Sequence, residues 1–389
     1  MEARDTAYQW VDAHRNDMID LWKEMVTIDS GIGVKEGGMA MGNLCAGILE
    51  DLGFSIRRVS YEKCGDTIIA ERGDMTKPYI ILMGHMDTVF FRGEPERRPF
   101  TIRDGKAYGP GVLDMKGGVA ILLSALRALD AAGVSDFPVK VILVADEEPA
   151  HCFSDAPQLI EKEAKGAKCA FNFETGFTDN SLVVQRKGCW RFFVEVFGRG
   201  CHVGNDPENG RSAILEMAHK IIEIEKLTDF SKAYNVNVGT IEGGTVANAA
   251  PAYCKVECDF RYTHPEDLPV LRQKVADVCA KTWVPDTVTK LTDSFGFAVM
   301  PRLEGNMKLL EVAQEVAAES GFPRPEARLC GGGSDAAYTT AAGVPTLCAT
   351  GVEGARNHTV EEWADVESFF LRVKQMAGIL LKVKDRESF

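Results

Sequence analysis

Side chains of the types that bind metal ions follow several apolar runs of this chain. His85 and Asp87 come directly after one such run. Glu147 and Glu148 close a second run, and Glu174 closes a third. Runs of this kind are typical of buried strands, and the carboxyl ends of parallel strands meet at one edge of an open α/β sheet. We therefore expect these side chains to gather at one edge of a sheet.

Two loop residues extend this set. Asp114 follows the glycine-rich segment 108–111, and His358 lies in the loop 354–358. A single polar strand end is commonly structural, because such residues simply leave the core. Several in one chain, together supplying imidazoles and carboxylates without a thiolate, suit a borderline or hard divalent ion. The sequence therefore predicts a metal site.

The expected chemistry is that of two divalent ions that share one carboxylate and one water. Two such ions polarise a carbonyl, lower the pKa of the shared water and stabilise a tetrahedral oxyanion. We expect Asp114 to be the shared ligand, since it directly precedes a predicted helix with two glycines near its start. His85 and Glu174 would complete one metal. Glu148 and His358 would complete the other.

Two further carboxylates are expected to support this centre. Asp87 points the same way as His85 along an extended segment and can accept the second imidazole N–H. The neighbours Glu147 and Glu148 cannot both face one way, so one is expected to bind metal while the other carries a proton. Which of the two does which is open at this point. The alternative is a solvated loop start before Pro149.

Composition narrows the class of protein. The chain has 389 residues, which favours two domains, and 45% of them are hydrophobic. No apolar run approaches the roughly 20 residues of a membrane span. The net charge of −13, with no long cluster of basic residues, argues against a nucleic-acid partner. We therefore expect neither a membrane nor a nucleic-acid function.

Cysteine usage indicates a reducing compartment. The eleven cysteines are irregularly spaced, and most lie inside apolar runs. The first residues contain no signal peptide, so a cytoplasmic location is expected. Cys254 and Cys258 fall on one face of an alternating strand, and we expect them to pack in the core rather than bind zinc.

The first part of the chain alternates strands with helices, which predicts an α/β domain with a mainly parallel sheet. The same rhythm resumes near the C-terminus. The predicted strands are 55–60, 66–71, 79–84, 139–145, 169–174 and 345–349, and the predicted helices are 7–28, 39–52, 116–132, 156–165, 307–320, 334–342 and 361–383.

Between these two stretches the order of elements changes to β-α-β-β-α-β, which is typical of a complete ferredoxin-like domain. We expect a catalytic domain made of residues 1–182 and 296–389, with an inserted domain at 183–295. The elements of the insertion are predicted as strands 182–186, 190–198, 235–242, 252–262 and 287–292 and helices 212–227 and 266–282.

Several motifs resemble a known enzyme family. They are GHMDTV at 84–89, YGPGVLDMKGG at 108–118, DEE at 146–148, Glu174, and GGGSDAAY at 331–338. In this order they resemble the di-zinc family of aminoacylases and carboxypeptidases, and within it the bacterial glutamate carboxypeptidase branch. Succinyl-diaminopimelate desuccinylase and acetylornithine deacetylase belong to the same family. The resemblance spans nearly the whole chain.

The resemblance implies a zinc-exopeptidase-like catalytic domain that binds two Zn²⁺ per subunit, with Co²⁺ or Mn²⁺ as possible substitutes. It implies Glu147 as the general base and Asp87 as the residue behind His85. The implied metal ligands are His85, Asp114, Glu148, Glu174 and His358.

The resemblance further implies that the inserted domain forms a homodimer and delivers His202 to the active site of the other subunit. From the residues alone, His202 in the loop 200–210 is equally well explained as a turn residue.

The resemblance also assigns the substrate carboxylate to Asn248 and Arg261. A guanidinium suits that task because its planar fork meets both oxygens. From the residues alone, Arg261 is a surface charge on an edge strand. Gly332 and Gly333 would bring backbone N–H groups close to the substrate, although a glycine cluster also marks a simple connecting turn.

The chain departs from the family pattern in two places. Residues 149–152 replace a glycine that usually follows the paired glutamates, and His151 adds an imidazole that we expect beside the metals or in solvent rather than as a ligand. The basic residues that folate-cleaving relatives carry near both ends of the insertion are absent at 179–181 and 293–295, while Arg186 and Lys187 offer another anchor.

We therefore predict a metal-dependent amide hydrolase of carboxypeptidase type. It would release a C-terminal amino acid from a peptide or an N-acyl amino acid by attack of a metal-bridging hydroxide. The presence of Glu174 rather than Asp resembles the carboxypeptidase and aminoacylase branches. The alternatives are a deacylase for N-acetyl or N-succinyl amino acids, a dipeptidase and, more remotely, a non-catalytic binding protein.

Overall fold

A computed structural model of the chain describes residues 2–389. The chain forms two compact units, each with its own hydrophobic core. The first contains the chain up to Gln185 together with Arg302–Leu329 and Ser334–Phe389, and the second contains Arg186–Pro301 and Cys330–Gly333.

Seventeen strands are present in the described residues, and most of the longer ones coincide with apolar or alternating runs of the sequence. They are β1 Ser55–Val59, β2 Thr67–Arg72, β3 Tyr79–His85, β4 Thr101–Arg103, β5 Lys106–Tyr108, β6 Val139–Val144, β7 Ala167–Asn172, β8 Gly176–Phe177, β9 Leu182–Arg186, β10 Gly188–Phe197, β11 Asn235–Gly243, β12 Tyr253–Tyr262, β13 Val288–Phe297, β14 Ala327–Cys330, β15 Thr346–Leu347, β16 Glu353–Ala355 and β17 Trp363–Asp365.

Eleven α-helices accompany these strands in residues 2–389. They are α1 Ala3–Ala13, α2 Arg15–Thr27, α3 Lys35–Asp51, α4 Glu94–Arg97, α5 Lys116–Ala131, α6 Ala156–Ala164, α7 Ala213–Glu225, α8 Asp267–Ala280, α9 Glu304–Ser320, α10 Ala336–Ala341 and α11 Val366–Val383.

The first unit is built on a six-stranded sheet with the order β1-β2-β6-β3-β7-β15. The four strands β6, β3, β7 and β15 pair in parallel, while β2 pairs antiparallel with both of its neighbours, β1 and β6. All seven residues of β3 are buried, as expected for a strand covered on both faces. The predicted mainly parallel sheet is confirmed.

Helix α5 packs closely against the carboxyl end of this sheet. A Cβ atom on Gly118 would lie 1.8 Å from the carbonyl oxygen of Phe173, which only glycine avoids. This glycine therefore allows the start of α5, and the Asp114 loop before it, to approach the end of β7.

Two predicted helices differ in the structure. The predicted helix 7–28 is interrupted at His14, whose φ of −113° and ψ of 25° are not helical. The C-terminal helix begins at Val366 rather than 361, because β17 precedes it and the Asp365 carboxylate accepts the N–H of Ser368 at 2.7 Å as an N-cap.

A five-stranded sheet with the order β4-β5-β17-β16-β8 was not predicted. Its strands are two or three residues long, too short to show a periodic pattern. Strand β14 was also missed.

The second unit follows the predicted β-α-β-β-α-β order as β10, α7, β11, β12, α8 and β13. Its antiparallel sheet has the order β11-β12-β10-β13, which is the ferredoxin-like arrangement. The predicted limits of this segment were 183 and 295. The compact unit instead runs from Arg186 to Pro301, because the backbones of Arg186 and Met300 pair with each other at its base.

Strand β12 alternates between buried and partly exposed residues, and Cys254 and Cys258 both point into the core of the second unit. The prediction of core packing for this pair is confirmed. All eleven cysteines are free. Among residues 2–389 no helix is both long and apolar enough to cross a bilayer.

Candidate metal centre

Neighbouring parallel strands carry most of the predicted ligands to one edge of the sheet. Strand β3 lies between β6 and β7. His85 ends β3 and is in register with Val144, the last residue of β6, so the Glu147–Glu148 turn begins beside it. On the other side Met83 is in register with Asn172, two residues before Glu174. The strand order therefore gathers side chains that are far apart in sequence.

Asp114 lies between the two histidines and contacts both. Its Oδ1 is 3.2 Å from His85 Nε2, and its Oδ2 is 3.2 Å from His358 Nε2. His85 Nε2 is also 3.6 Å from Glu174 Oε1, and His358 Nε2 is 3.3 Å from Glu148 Oε2. The result is two groups of ligand type, His85–Asp114–Glu174 and Asp114–Glu148–His358, with one carboxylate in common.

The distances within each group fit a bound metal ion. Ligand atoms about 2.1 Å from a tetrahedral zinc lie roughly 3.4 Å from each other. The four contacts given above fall close to this value. In addition, Glu148 Oε1 is buried without a hydrogen-bond partner among the described residues. A buried carboxylate oxygen of this kind is costly unless a cation or a donor meets it, so the donor set fits divalent cations.

Mutual hydrogen bonding strongly shifts the ionisation of these groups. Hydrogen bonds to Asp114 and Glu148 raise the pKa of His358 to about 11. Burial opposes ionisation of Asp114, but hydrogen bonds from His358 and His85 outweigh it and lower its pKa below the usual range. Burial and the nearby Asp114 raise the pKa of Glu148 to about 7. The neighbouring carboxylates thus favour the protonated form of His358.

Of the paired glutamates, Glu147 is the one that belongs to neither ligand group. Burial raises its pKa well above the usual range, an effect that His85 opposes and Glu174 reinforces. Its side chain is 7% exposed. A buried carboxylate with a raised pKa binds a proton more readily than an exposed one, which is the property that a general base requires.

Asp87 connects the two sides of the centre. Its Oδ1 lies 3.3 Å from His85 Nδ1 and accepts the backbone N–H of Glu147 at 3.2 Å. Its Oδ2 accepts the N–H of Glu148 at 3.0 Å. The backbone carbonyl oxygen of Asp87 also lies 3.1 Å from His85 Nδ1. Asp87 therefore orients the imidazole through both groups, and its carboxylate also fixes the start of the paired-glutamate turn.

Glu362 holds the Asp114 loop in place, and sequence reasoning missed it. This 1% exposed carboxylate accepts three backbone N–H groups, from Gly111 at 3.0 Å, Leu113 at 2.8 Å and Asp114 at 2.9 Å. Burial raises its pKa to about 8 despite these hydrogen bonds. In the sequence nothing distinguishes it from its exposed neighbour Glu361.

Asn357 and Lys116 complete the surroundings of Asp114. Asn357 Nδ2 donates to Asp114 Oδ2 at 2.9 Å. Lys116 is buried and donates to the carbonyl oxygen of Ile28 at 2.6 Å, and burial lowers its pKa to about 7. Neither residue was predicted, although both are close in sequence to predicted ligands.

Within the second unit, His202 and Asn248 lie in adjacent segments. His202 forms a backbone bridge with Ala249, and the carbonyl oxygen of Asn248 accepts the N–H of Val203 at 3.1 Å. The imidazole of His202 is exposed and its Nδ1 accepts the N–H of Gly204 at 3.2 Å. The structure therefore brings these two predicted residues together.

Arg261 lies beside the glycine-rich segment in the same unit. Its Nη1 donates to the carbonyl oxygen of Gly331 at 3.3 Å, and Asp259 holds the guanidinium with two hydrogen bonds of 2.6 and 2.9 Å. Strand β12, which carries Arg261, lies between β11 and β10. The alternative of a charge on an edge strand is therefore wrong.

Gly332 and Gly333 are held at the same place by Arg186. Its Nη1 donates to the carbonyl oxygens of Gly332 at 3.3 Å and Gly333 at 3.1 Å. A Cβ atom on Gly333 would lie 2.5 Å from the ring of Phe297. The side chain of Arg186 thus supports the glycine-rich segment from within the second unit.

Comparison with known proteins decides the family. Residues 81–382 match the model of Peptidase family M20/M25/M40. The chain belongs to this family. It is therefore a metal-dependent hydrolase, and the resemblance predicted from its motifs is confirmed.

Relatives of this M20 chain have different activities. It is 29% identical to carboxypeptidase G2 of Pseudomonas sp. strain RS-16 over 368 residues, which cover 94% of this chain and 88% of the relative. It is 31% identical to acetylornithine deacetylase of Salmonella arizonae over 264 residues, which cover 62% and 67% of the two chains. The family thus fixes the reaction class and leaves the substrate open.

Solved structures agree on the fold. Aminopeptidase PepT from Bacillus cereus matches with a TM-score of 0.78 at 21% identity, covering 95% of this chain and 98% of that one. The M20 metallo-carboxypeptidase Sso-CP2 from Sulfolobus solfataricus matches with a TM-score of 0.73 at 15% identity, covering 93% and 98%. The M20 chain therefore has the architecture of these enzymes.

Replacing Glu362 should weaken metal binding although it changes none of the predicted metal ligands. In Glu362→Gln the amide turns an N–H group toward one of the three backbone donors, so the Asp114 loop loses its fixed position. Loss of such an orienting partner lowers metal affinity by about 10- to 100-fold. Competition with a chromophoric chelator measures this affinity. Glu361→Gln, at the exposed neighbour, is the control, and equal affinities in both variants would contradict the prediction.

Metal binding should release protons and strengthen as pH rises. His358 must lose its proton and Glu148 must ionise before they can bind a cation, and both have raised pKa values. Affinity is therefore expected to fall as pH drops through about 7, where Glu148 becomes protonated. Calorimetric titration with Zn²⁺ in buffers of different ionisation enthalpy counts the protons released. Binding without net proton release would rule out this ligand set.

Proposed function

We propose that this protein is a di-zinc amide hydrolase of carboxypeptidase type. It would release a C-terminal amino acid from a peptide or an N-acyl amino acid. The observation that carries this proposal is the Asp114 carboxylate, which contacts one histidine with each oxygen beside the buried Glu147. Co²⁺ or Mn²⁺ are the alternative metals, since the imidazole and carboxylate donors suit them as well.

In this proposal His85 and Glu174 hold one ion, Glu148 and His358 hold the other, and Asp114 is shared. Two bound cations would polarise the scissile carbonyl and acidify a water molecule. Glu147 would take the proton from that water and pass it to the leaving nitrogen. Asp87 would keep His85 in the tautomer whose Nε2 faces the centre, because Asp87 lies against Nδ1.

Arg261 would bind the substrate carboxylate. Its guanidinium is already oriented by Asp259, which limits the entropy lost when a substrate binds. Asn248 would add an amide donor, and backbone N–H groups near Gly332 and Gly333 would approach the same ligand. A free carboxylate on the substrate is the feature that carboxypeptidase and N-acyl amino acid substrates share.

A deacylase for small acyl groups is the second candidate. The 31% identity to acetylornithine deacetylase favours it, although that match covers 62% of this chain against 94% for the carboxypeptidase relative. Dipeptide hydrolysis is a further alternative, because it would use the same metal-binding side chains. A mass-spectrometric screen of N-benzoyl, N-acetyl and N-succinyl amino acids and of dipeptides against the zinc-loaded protein separates these activities.

Glu147→Gln should abolish turnover and keep the metals. An amide cannot accept the proton of the attacking water, and loss of a general base costs about 10²–10⁴ in kcat. Glu148→Gln serves as the contrast, because it should reduce metal content as well as turnover. Metal content by mass spectrometry and initial rates on the best substrate of the screen check both. Unchanged turnover in Glu147→Gln would remove this residue from the mechanism.

We also propose that the second unit forms the contact of a homodimer. Strand β11 is at the edge of its sheet, so its outer backbone N–H and C=O groups are available to pair with another strand. Apolar side chains near this edge are between 39% and 59% exposed. Helix α7, which packs beside β11, contributes some of them. These side chains are Ile214, Leu215, Ile222, Ile241 and Val246.

In such a dimer His202 would act in the active site of the other subunit, where its imidazole would stabilise the oxyanion. Mixing two inactive variants tests this directly. A heterodimer of His202→Ala and Glu147→Gln contains one site with Glu147 intact and a functional His202 supplied from the partner. We expect activity to return on mixing after reversible dissociation. No recovery, with heterodimers present by native mass spectrometry, would contradict transfer of His202 between subunits.

Charged substitutions at the proposed contact should give monomers. Leu215→Glu combined with Ile222→Lys places charges on the exposed face of α7, where a dimer would bury them at a high desolvation cost. Light scattering after gel filtration measures the mass. Val288→Lys on the opposite edge strand β13 is a matched control, because Val288 is 64% exposed. Dimers that persist in the double variant, or that the control disrupts, would place the contact elsewhere.

A further inference from the structure

A buried histidine next to the paired glutamates has no part in the reaction described above. His151 is 8% exposed, and its ring lies between two carboxylates. Its Nε2 is 2.7 Å from Asp335 Oδ1, and its Nδ1 is 3.4 Å from Asp146 Oδ1. The ring also meets the ring of Tyr338 edge-on, with 5.9 Å between centroids. This imidazole connects the turn after β6 to the start of α10.

The backbone at this turn adopts a conformation that favours glycine. Ala150 and His151 have φ values of 51° and 56°, in the left-handed region. A non-glycine residue is strained in this region, so the conformation persists where surrounding contacts hold it. The N–H of His151 donates to the carbonyl oxygen of Asp146 at 2.9 Å, and the N–H of Ala150 donates to that of Glu147 at 2.7 Å. These two hydrogen bonds close the turn that contains Glu147.

The other end of the connection is fixed to the opposite side of the metal centre. Ser334, directly before Asp335, accepts a hydrogen bond from Asn172 Nδ2 at 3.1 Å. Asn172 ends β7, two residues before Glu174. Ser334 and Asp335 thus contact the segments that carry both Glu174 and the paired glutamates, and Asp335 is 2% exposed.

His151 does not belong to a metal site of its own. Its two ring nitrogens face different carboxylates, so no single ion would meet all three side chains. Among residues 2–389, the groups whose ligand atoms lie within 4.8 Å of one another contain His85 and His358 but not His151. The geometry is that of a bridge between two segments.

We propose that His151 is a positioning residue, which fixes the orientation of the Glu147 carboxylate by linking the 146–151 turn to Asp335. This inference rests on the proposed role of Glu147 as general base. The physical reason is that a base must lie within hydrogen-bonding reach of its proton, and an error of about 1 Å in such an arrangement costs up to 10²-fold in rate.

Three variants separate positioning from simple folding effects. His151→Gly removes the bridge and at the same time relieves the left-handed backbone. Ala150→Gly relieves the same kind of backbone at the neighbouring position and leaves the bridge intact. His151→Gln restores a donor that reaches toward Asp335, so it should recover part of the lost function.

The measurements are kcat and KM on the N-benzoyl amino acid or dipeptide that the zinc-loaded wild type cleaves fastest, zinc content, melting temperature and deuterium uptake of the 146–151 amides. For His151→Gly we expect kcat to fall about 10- to 100-fold with KM within about threefold, full zinc content and faster exchange in the turn. Ala150→Gly should match the wild type in kcat and exchange. His151→Gln should lie between the two.

The proposal is overturned if His151→Gly keeps wild-type kcat and exchange, or if it loses zinc together with activity, since the side chain would then support the ligands rather than the base. Should His151→Gly fail to fold, His151→Asn replaces it, because asparagine tolerates the left-handed region and is too short to bridge both carboxylates. Glu147→Gln is measured in parallel. If that variant keeps its turnover, the proposed function fails; if it is inactive while His151→Gly is normal, only the present inference fails.

Discussion

The interaction on which the rest of the centre depends is the position of one carboxylate between two imidazoles. Asp114 gives one oxygen to His85 and the other to His358, each at 3.2 Å. Neither histidine is near Asp114 in sequence, so the contact requires the end of β3, the loop before α5 and the loop before β17 to meet. Glu362 makes this possible, because it binds three backbone N–H groups of the Asp114 loop and so fixes where that carboxylate points.

Buried charge is the main cost of building such a centre. His85, Asp114, Glu147 and Glu174 are all less than 10% exposed, and carboxylates outnumber imidazoles in the two ligand groups. Lys116 is also buried near this loop, and its side-chain nitrogen donates a hydrogen bond to the backbone carbonyl oxygen of Ile28. Taking charges out of water costs several kcal/mol per ion unless partners compensate them. Divalent cations bound at these groups would compensate the buried carboxylates.

The two units contain different predicted site residues. The first contains both ligand groups and the paired glutamates, while the second contains His202, Asn248, Arg261 and the glycine-rich segment. The family and the relatives agree on a metallohydrolase but span carboxypeptidase and deacetylase activities. This spread is physically reasonable, because both activities hydrolyse an amide bond and the same metal-binding side chains would serve either one. A hydrophobic specificity pocket discriminates by only about 1–3 kcal/mol per methylene.

The sequence by itself determined the fold class, the family and the set of side chains that gather at the centre. Apolar runs indicate buried strands, and parallel strands end at one edge of a sheet, which gave the fold class and most of the side chains. The family came from the resemblance of the motifs at 84–89, 108–118, 146–148 and 331–338. Asp87 was likewise assigned to His85, since residues two apart on an extended segment point the same way.

Only the tertiary structure decided how these side chains are held. Glu361 and Glu362 are identical neighbours in the sequence, yet one is exposed and the other is buried against three N–H groups. In the sequence His151 is only an extra imidazole near the paired glutamates. In the structure its ring contacts Asp335, which is 184 residues away. Packing also decided three features of the fold: the break at His14, the small sheet that contains β17, and the position of β12 between two other strands. Such contacts join residues far apart in the chain, and local patterns carry no information about which distant group will be the partner.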